Sequence, residues 1–397
     1  MAGIYIHIPF CKSRCIYCDF YSTTLLSKRD EYVESLCKEF SLRKAIFHSW
    51  LDDRNDILKS IYIGGGTPSV LSEDGVTHIL NHIRTGFREC NQFERNLEIT
   101  IEVNPSDINV NKVKAYIAGG INRISIGVQS FQDDKLKLIG RRHDAETASK
   151  AVKTVREAGI ENISIDLMYG LPNESMDEWK EDIEKAIDLG VEHISAYCLT
   201  YEDGTKLYQL RENGEVQELE ELLLNDMQDY VSERLGAAGY RQYEVSNYAI
   251  RGFESVHNSG YWNKSPYLGL GAGAHSYNGK EERSWNIADI NKYMCSIQDA
   301  FSASSAQYLP IEYEHLTPEE QYNEVVMLGL RTSSGVAVSQ IDMAIRPYFL
   351  KQADKWLKNG LVREDIIGAA DNTREIRYVA NKKGRHILNR IIEDLMI

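Results

Sequence analysis

"YIHIPFCKSRCIYCDF", residues 5–20, decides how the rest of the chain is read. It begins with apolar residues at every second position, Ile6 and Ile8 alternating with Tyr5 and His7, which is the period of a β-strand. It then turns at Pro9 and places Cys11, Cys15 and Cys18 in the spacing C-x3-C-x2-C. Three of the chain's 7 cysteines fall in this one turn. Thiols clustered at a strand end point to metal or redox chemistry rather than to packing.

Beyond the turn, short β-rich runs alternate with helical patterns. Strands are predicted over 4–8, 60–63, 97–103, 123–127, 163–167 and 193–198. Helices are predicted over 28–47 with Ser27 as cap, 73–85 with Ser72 as cap, 111–118, 145–158 and 176–189. Six β-then-α units imply a parallel sheet with right-handed crossovers. They are too few for a closed eight-stranded barrel, so the expected fold class is α/β, a partial (β/α)6 TIM-like barrel. In such barrels the chemistry sits at the C-terminal strand ends. Those ends carry Cys11 onward, Gly64-Gly65-Gly66, Glu102 to Asn104, Gln129, Asp166 and Tyr197 to Thr200.

After a further helix over 218–235 the texture changes. "YRQYEVSNYA" reads as strand-like, and "HNSGYWNKSPYLGLGAGAHSY", residues 257–277, as a structured loop rich in Gly, Asn and aromatics. From residue 301 a separate α+β, winged-helix-like module is expected. It has helices near 319–330 and 346–358, a small hairpin and a closing helix over 384–395. The expected division is a barrel over 1–240, a connecting region over 241–300 and a C-terminal module over 301–397.

The composition of the 397 residues, 43% hydrophobic and 26% charged, is that of a soluble globular protein. A formal net charge of -14 argues against nucleic-acid binding, which needs a basic counter-surface. Arg141-Arg142-His143 therefore reads as a local anion contact or solvated surface. No apolar run approaches the roughly 20 residues that span a bilayer, and no signal peptide is visible. An odd number of cysteines points to a reducing compartment, with a cytoplasmic location expected. Cys37, Cys90, Cys198 and Cys295 read as buried small hydrophobes.

Three chemistries are open to the clustered cysteines. Structural zinc needs a fourth protein ligand, for which a distant histidine would serve. A redox disulfide needs only two thiols. A [4Fe-4S] cluster on three thiolates keeps one iron free of protein, ready to bind a substrate or cofactor. Here the sequence resembles a known family. C-x3-C-x2-C after a first β-strand is the signature of the radical S-adenosylmethionine enzymes. The longer string resembles the branch that contains oxygen-independent coproporphyrinogen III oxidase and the HemW-type haem chaperones. The resemblance implies a [4Fe-4S] cluster on Cys11, Cys15 and Cys18, with S-adenosylmethionine on its open iron. It implies cofactor contacts by Tyr5 and Tyr17, with Tyr17 against adenine, and by Gly65, Gly66 and Thr67 along the methionine part. Glu102 suits a ribose or ammonium group. Gln129, Arg141 and Asp166 match further binding positions in the oxidase branch, where a second S-adenosylmethionine lies nearby.

Two departures favour the chaperone side of that branch. Only ten residues precede Cys11, and Phe20 stands where the oxidase carries an additional cysteine. The string "HNSGYW", residues 257–262, matches the H-N-x-x-Y-W pattern associated with haem in that group. On this reading an exposed His257 imidazole ligates haem iron and Tyr261 and Trp262 offer flat surface, with His275 as second candidate. The implied function is a haem chaperone that delivers haem to acceptor proteins, respiratory enzymes among the candidates, with a homodimer left open. The alternative is the oxidase reaction, radical decarboxylation of coproporphyrinogen III to protoporphyrinogen IX.

Overall fold

The computed structural model describes residues 2–87, 92–368 and 374–397. Six β/α units lead the chain: β1 (Ala2–Ile8), α1 (Arg29–Arg54), β2 (Leu58–Gly65), α2 (Glu73–Gly86), β3 (Phe93–Val103), α3 (Val110–Ala118), β4 (Arg123–Gln129), α4 (Asp133–Leu138), α5 (Ala145–Glu157), β5 (Asn162–Tyr169), α6 (Met176–Asp188) and β6 (His193–Cys198). Neighbours from β1 to β6 pair in parallel and in chain order. The expected partial barrel is therefore present, and it is larger than six strands. After α7 (Lys206–Glu212) and α8 (Glu221–Ala237), the short strands β7 (Arg241–Gln242) and β8 (Asn247–Ala249) add to the β6 edge.

Residues 257–277, expected as a loop, instead form regular structure. They hold most of α9 (Val256–Trp262), then β9 (Tyr267–Leu270) and β10 (His275–Tyr277). Ser255 caps α9 by accepting from the Asn258 amide. β9 runs parallel to β1, with Gly3 opposite Tyr267. β10, β11 (Glu282–Asn286) and, after α10 (Ile290–Ser302), β12 (Ile311–His315) continue that flank antiparallel. The result is one 12-stranded sheet. The region 241–300 is thus part of the sheet that carries the barrel.

The sheet strands alternate between two faces. Ile4, Ile6, Ile8, Ile61, Ile63, Ile99, Ile101, Ile124 and Ile126 are all 0–2% exposed and pack outward under the helices. The opposite, inner face is polar: Tyr5, His7, Ser60, Tyr62, Glu98, Glu102, Arg123 and Asp166. Parallel strands that are greasy on both faces bury an apolar core on each side. Here the alternation marks one face as something other than core.

The outer helices begin where local chemistry dictates. Ser72, Asn109, Asp144 and Ser175 each accept a backbone N–H at the start of their helix, and Ser175 with Glu178 forms a capping box. Ser27 does not act as expected: it lies in a 3-10 turn over Leu26–Lys28, and α1 starts at Arg29 without a side-chain cap. The α1 helix ties the late strands to the first one. Glu39, fully buried, accepts from Arg43 (2.7 Å), Gly271 N (2.8 Å), Asn286 (2.8 Å) and Tyr293 (2.6 Å). A buried carboxylate is tolerable only with such complete satisfaction.

The C-terminal part comprises α11 (Pro318–Leu330), β13 (Val336–Ala337), α12 (Arg346–Lys358), β14 (Val362–Gly368), β15 (Arg374–Ala380), α13 (Lys382–His386) and α14 (Leu388–Leu395). Three strands in the order β13-β15-β14 and the helices enclose their own apolar core around Val326, Phe349, Trp356 and Ile391. The two expected helices and the hairpin are present, whereas the expected closing helix over 384–395 is broken into α13 and α14, and residues 311–315 of the expected module belong to the large sheet as β12. Among the described residues no helix is long and apolar enough to cross a membrane.

Candidate functional site

A cavity of about 550 Å³ opens at the C-terminal ends of the barrel strands. The cysteine turn forms one wall, with Cys11, Cys15, Tyr17 and Cys18 all lining it. Gly65, Gly66 and Thr67 follow from β2, Glu102 and Asn104 from β3, Gln129 from β4, Asp166 from β5, and Tyr197 to Thr200 from β6. Arg141 enters from the segment between α4 and α5. Almost the whole expected set converges on one space.

The cysteine turn is held from three sides. Thr67 Oγ1 donates to Cys11 Sγ at 3.5 Å, and Arg141 lies 3.6 Å from Cys15 Sγ. Arg141 also donates to the Gly127 carbonyl. The next residue of the turn, Lys12, reaches the Asp107 carboxylate at 2.7 Å. Asp107 also receives Ser69 (3.0 Å) and Arg142 (3.2 Å), so one buried carboxylate joins the cysteine turn, the segment after β2 and the segment carrying Arg141. Burial pushes its carboxyl up, but Lys12, Arg142 and Ser69 outweigh that and hold it below the usual range.

The glycines after β2 serve packing as much as approach to a ligand. Gly65 has φ +110, and a Cβ there would lie 2.5 Å from the His7 ring. A Cβ on Gly66 would lie 3.0 Å from Cys11 Sγ. Gln129 closes β4 with φ 73, a left-handed conformation costly to a non-glycine residue, and its strand slips register between Gly127 and Gln129. The strained residue lines the cavity.

Electrostatics fit a cationic or metal-bearing guest. Burial pushes Glu102 up to about 7, reinforced by Asp166 and offset by Tyr62 and the Gly65 amide. Burial likewise raises Asp166. Burial pushes the Cys18 thiol up to about 11 and raises Cys11. Thiolates here need positive charge beside them, which Arg141 supplies in part and iron would complete. The three sulfurs share a wall of one cavity. Yet among the described residues no three His, Cys, Asp or Glu side chains converge on a single ion position, as a structural zinc requires. A cluster distributes its thiolates over separate irons, so facing one space suffices. Cys11, Cys15 and Cys18 fit that donor set, and the cluster would present an open iron to the cavity.

Of the expected contact residues, Tyr5, His257, Tyr261, Trp262 and His275 lie outside the cavity. Tyr5 sits deeper in the barrel, its hydroxyl 3.0 Å from His7 Nδ1. His257 requires a correction, because it is 3% exposed rather than an open imidazole. Its Nδ1 pairs with Ser60 Oγ at 2.9 Å and its Nε2 with Tyr261 OH at 3.0 Å. Glu98 accepts from the Val256 and His257 amides, each at 3.1 Å. The motif therefore closes the end of the barrel opposite the cavity, where burial drives the His257 imidazole down to about 3 and keeps it neutral. The scattered cysteines also differ from expectation. Cys37 is buried, but Cys198 and Cys295 are exposed, and Cys198 lines the cavity; Cys90 lies outside the described residues. Sequence reading missed Asp107 and the buried Arg123, because single charged residues carry no spacing signal.

A partial parallel barrel with three cysteines at its open edge defines the radical SAM class, and the family model of the Radical SAM superfamily matches residues 5–186. The chain is 37% identical over 338 residues to the "Heme chaperone HemW" of Bacillus subtilis, covering 85% of each. It is 36% identical over 394 residues to the protein of the same name from Lactococcus lactis, covering 99% of this chain and 97% of that one. The chain belongs to the HemW family within the radical SAM superfamily. A solved structure, coproporphyrinogen III oxidase (HemN) from Escherichia coli, superposes with a TM-score of 0.79 at 22% identity, covering 100% of this chain and 90% of that one. That likeness establishes the fold.

Proposed function

We propose that this protein is a haem chaperone built on a radical SAM scaffold. Cys11, Cys15 and Cys18 hold [4Fe-4S]. Gly65, Gly66, Thr67, Glu102, Gln129, Arg141 and Asp166 bind S-adenosylmethionine, with Tyr17 beside it. The chain takes up haem and passes it to acceptor proteins. The observation that carries this reading is the convergence of the three thiols and these polar strand ends on one cavity, in a chain whose relatives bear the chaperone name. The chain's own part in the site is to orient: Arg141 and Thr67 aim donors at sulfur, and Glu102 offers a carboxylate or carboxylic acid near neutral pH. The cluster, when bound, supplies an open coordination site and one-electron chemistry. Phe20, 63% exposed at the mouth, stands where the oxidase branch has a further cysteine, which weighs against decarboxylation.

The test is anaerobic. Protein reconstituted with iron and sulfide is given S-adenosylmethionine, a reductant and coproporphyrinogen III in one arm, and hemin in the other. Saturable hemin uptake without protoporphyrinogen supports the chaperone. Multiple-turnover formation of protoporphyrinogen overturns it in favour of the oxidase.

A further inference from the structure

The proposed haem function leaves open which residue takes the iron, and the floor histidine is poorly placed to do so. His257 has both nitrogens engaged, and freeing either would unpair Ser60 or Tyr261 inside the barrel. The chain has 10 histidines. Nine of them, His257 included, each hold a hydrogen bond or an ion pair. Among the described residues His275 alone has neither.

His275 is exposed at the start of β10. It lies opposite Trp285 of β11, with ring centroids 5.7 Å apart and planes 29° from parallel. Trp285 is itself pinned, since its indole N–H donates to Glu312 at 3.0 Å. A ring stacked by its face has a fixed plane and an unhindered nitrogen edge. The position is also apt. β9 runs parallel to β1, so the turn from Leu270 to His275 lies on the same sheet edge as the cysteine turn. Tyr21, three residues past Cys18, bridges the two: a Cβ on Gly273 would lie 3.5 Å from Tyr21 Cβ. Burial and Arg283 lower the His275 imidazole, so it is neutral at physiological pH and keeps a lone pair for a metal.

We infer that His275, stacked on Trp285, is the axial ligand of a haem iron bound over the exposed start of β10, beside the cluster edge. The inference rests on the haem-carrying function proposed above. It assigns the HNSGYW motif a structural duty, holding the barrel floor, and moves the ligand to the second flank of the sheet.

The test is hemin titration of the full chain under nitrogen, followed by the Soret band and by electron paramagnetic resonance of the ferric state. Wild type is expected to bind saturably with a histidine-ligated signature. His275→Ala is expected to weaken binding at least tenfold and to lose that signature, with free imidazole restoring it. Trp285→Ala is expected to weaken binding by a smaller factor, and His315→Ala to leave it unchanged. If wild type takes up no hemin saturably, the haem-carrying function itself fails. If wild type binds and His275→Ala binds equally with the same spectrum, the assignment of His275 is overturned while the function stands. Should His275→Ala misfold, carbethoxylation of the wild-type protein decides. Bound hemin should slow modification of His275 and not of His315, and equal rates with and without hemin overturn the assignment.

Discussion

The two ends of the barrel start from the same material and end differently. Both are lined by polar side chains from the inner face of β1 to β6. At the floor, α9 returns from late in the chain and satisfies them: His257 with Ser60 and Tyr261, Glu98 with two amides. Across the floor, His193 is likewise held between Ser164 at 2.7 Å and Tyr243 at 2.9 Å. At the mouth none of the described segments fills the space. Glu102, Gln129, Arg141, Asp166 and the cysteines line a cavity there. A polar inner face is therefore not by itself a site. It becomes one only where the fold withholds its own partners.

The sharpest way to break this contrast is at the mouth. Cys15→Ala should abolish retention of cluster iron and sulfide while leaving the thermal midpoint near wild type, because the side chain is a wall of a cavity and not a piece of core. Iron and sulfide assays beside a melting curve check this. A full complement of iron in the variant would refute the ligand set.

At the floor the expected signs reverse. His257→Ala should cost about 3 kcal/mol in urea unfolding, the sum of a lost ring and two stranded partners, with cluster content unchanged. A variant as stable as wild type would mean that α9 does not hold the floor.

Asp107 lies between the two cases, buried yet tied to the mouth. Asp107→Ala should lower stability by about 1–2 kcal/mol and slow cluster reconstitution, and Asp107→Asn should recover part of the rate by keeping the Ser69 contact. Equal reconstitution rates in all three proteins would show that the cysteine turn needs no such tether.

The smallest effect concerns pH, in the turn that follows β5. Burial pushes Glu174 up to about 8, where Asp182 adds to the rise and the Gly170 and Leu171 amides oppose it. A raised carboxyl favours folding in its protonated form, so its contribution is full below the ordinary value of 4.5 and fades as pH climbs through about 8. Glu174→Gln should flatten the fall in unfolding free energy across that window. An unchanged slope would show that Glu174 is already charged in the folded protein.

The cysteine turn and the strand ends were legible because both carry a pattern. Spacing exposed Cys11, Cys15 and Cys18. Period-two runs such as "LEITIEV" and "HISAYC" gave strands to within a few residues of Phe93–Val103 and His193–Cys198. Helix starts were legible where a cap made a bond, at Ser72, and not where none did, at Ser27. What failed was long-range. "YLGL" looks like loop because glycine is a poor strand former, yet Gly269 is required there, since a Cβ would lie 1.9 Å from the His275 carbonyl oxygen. The burial of His257 could not be read from "HNSGYW", because the groups that claim it, Ser60 and Glu98, lie more than 150 residues away.

The pairing of β1 with β9 bears on how the molecule is made. β1 is bordered on one side by a segment some 260 residues later in the chain, Gly3 against Tyr267. Tyr21 likewise waits for the Ile290 amide, which its hydroxyl accepts at 2.7 Å. Until that late stretch emerges, the nascent chain displays a naked, isoleucine-rich edge and an unbraced ligand loop, the kind of surface that invites mispairing. Truncation before residue 267 should therefore remove both the β9 neighbour of β1 and the anchor that Ile290 gives Tyr21 beside the cysteine turn.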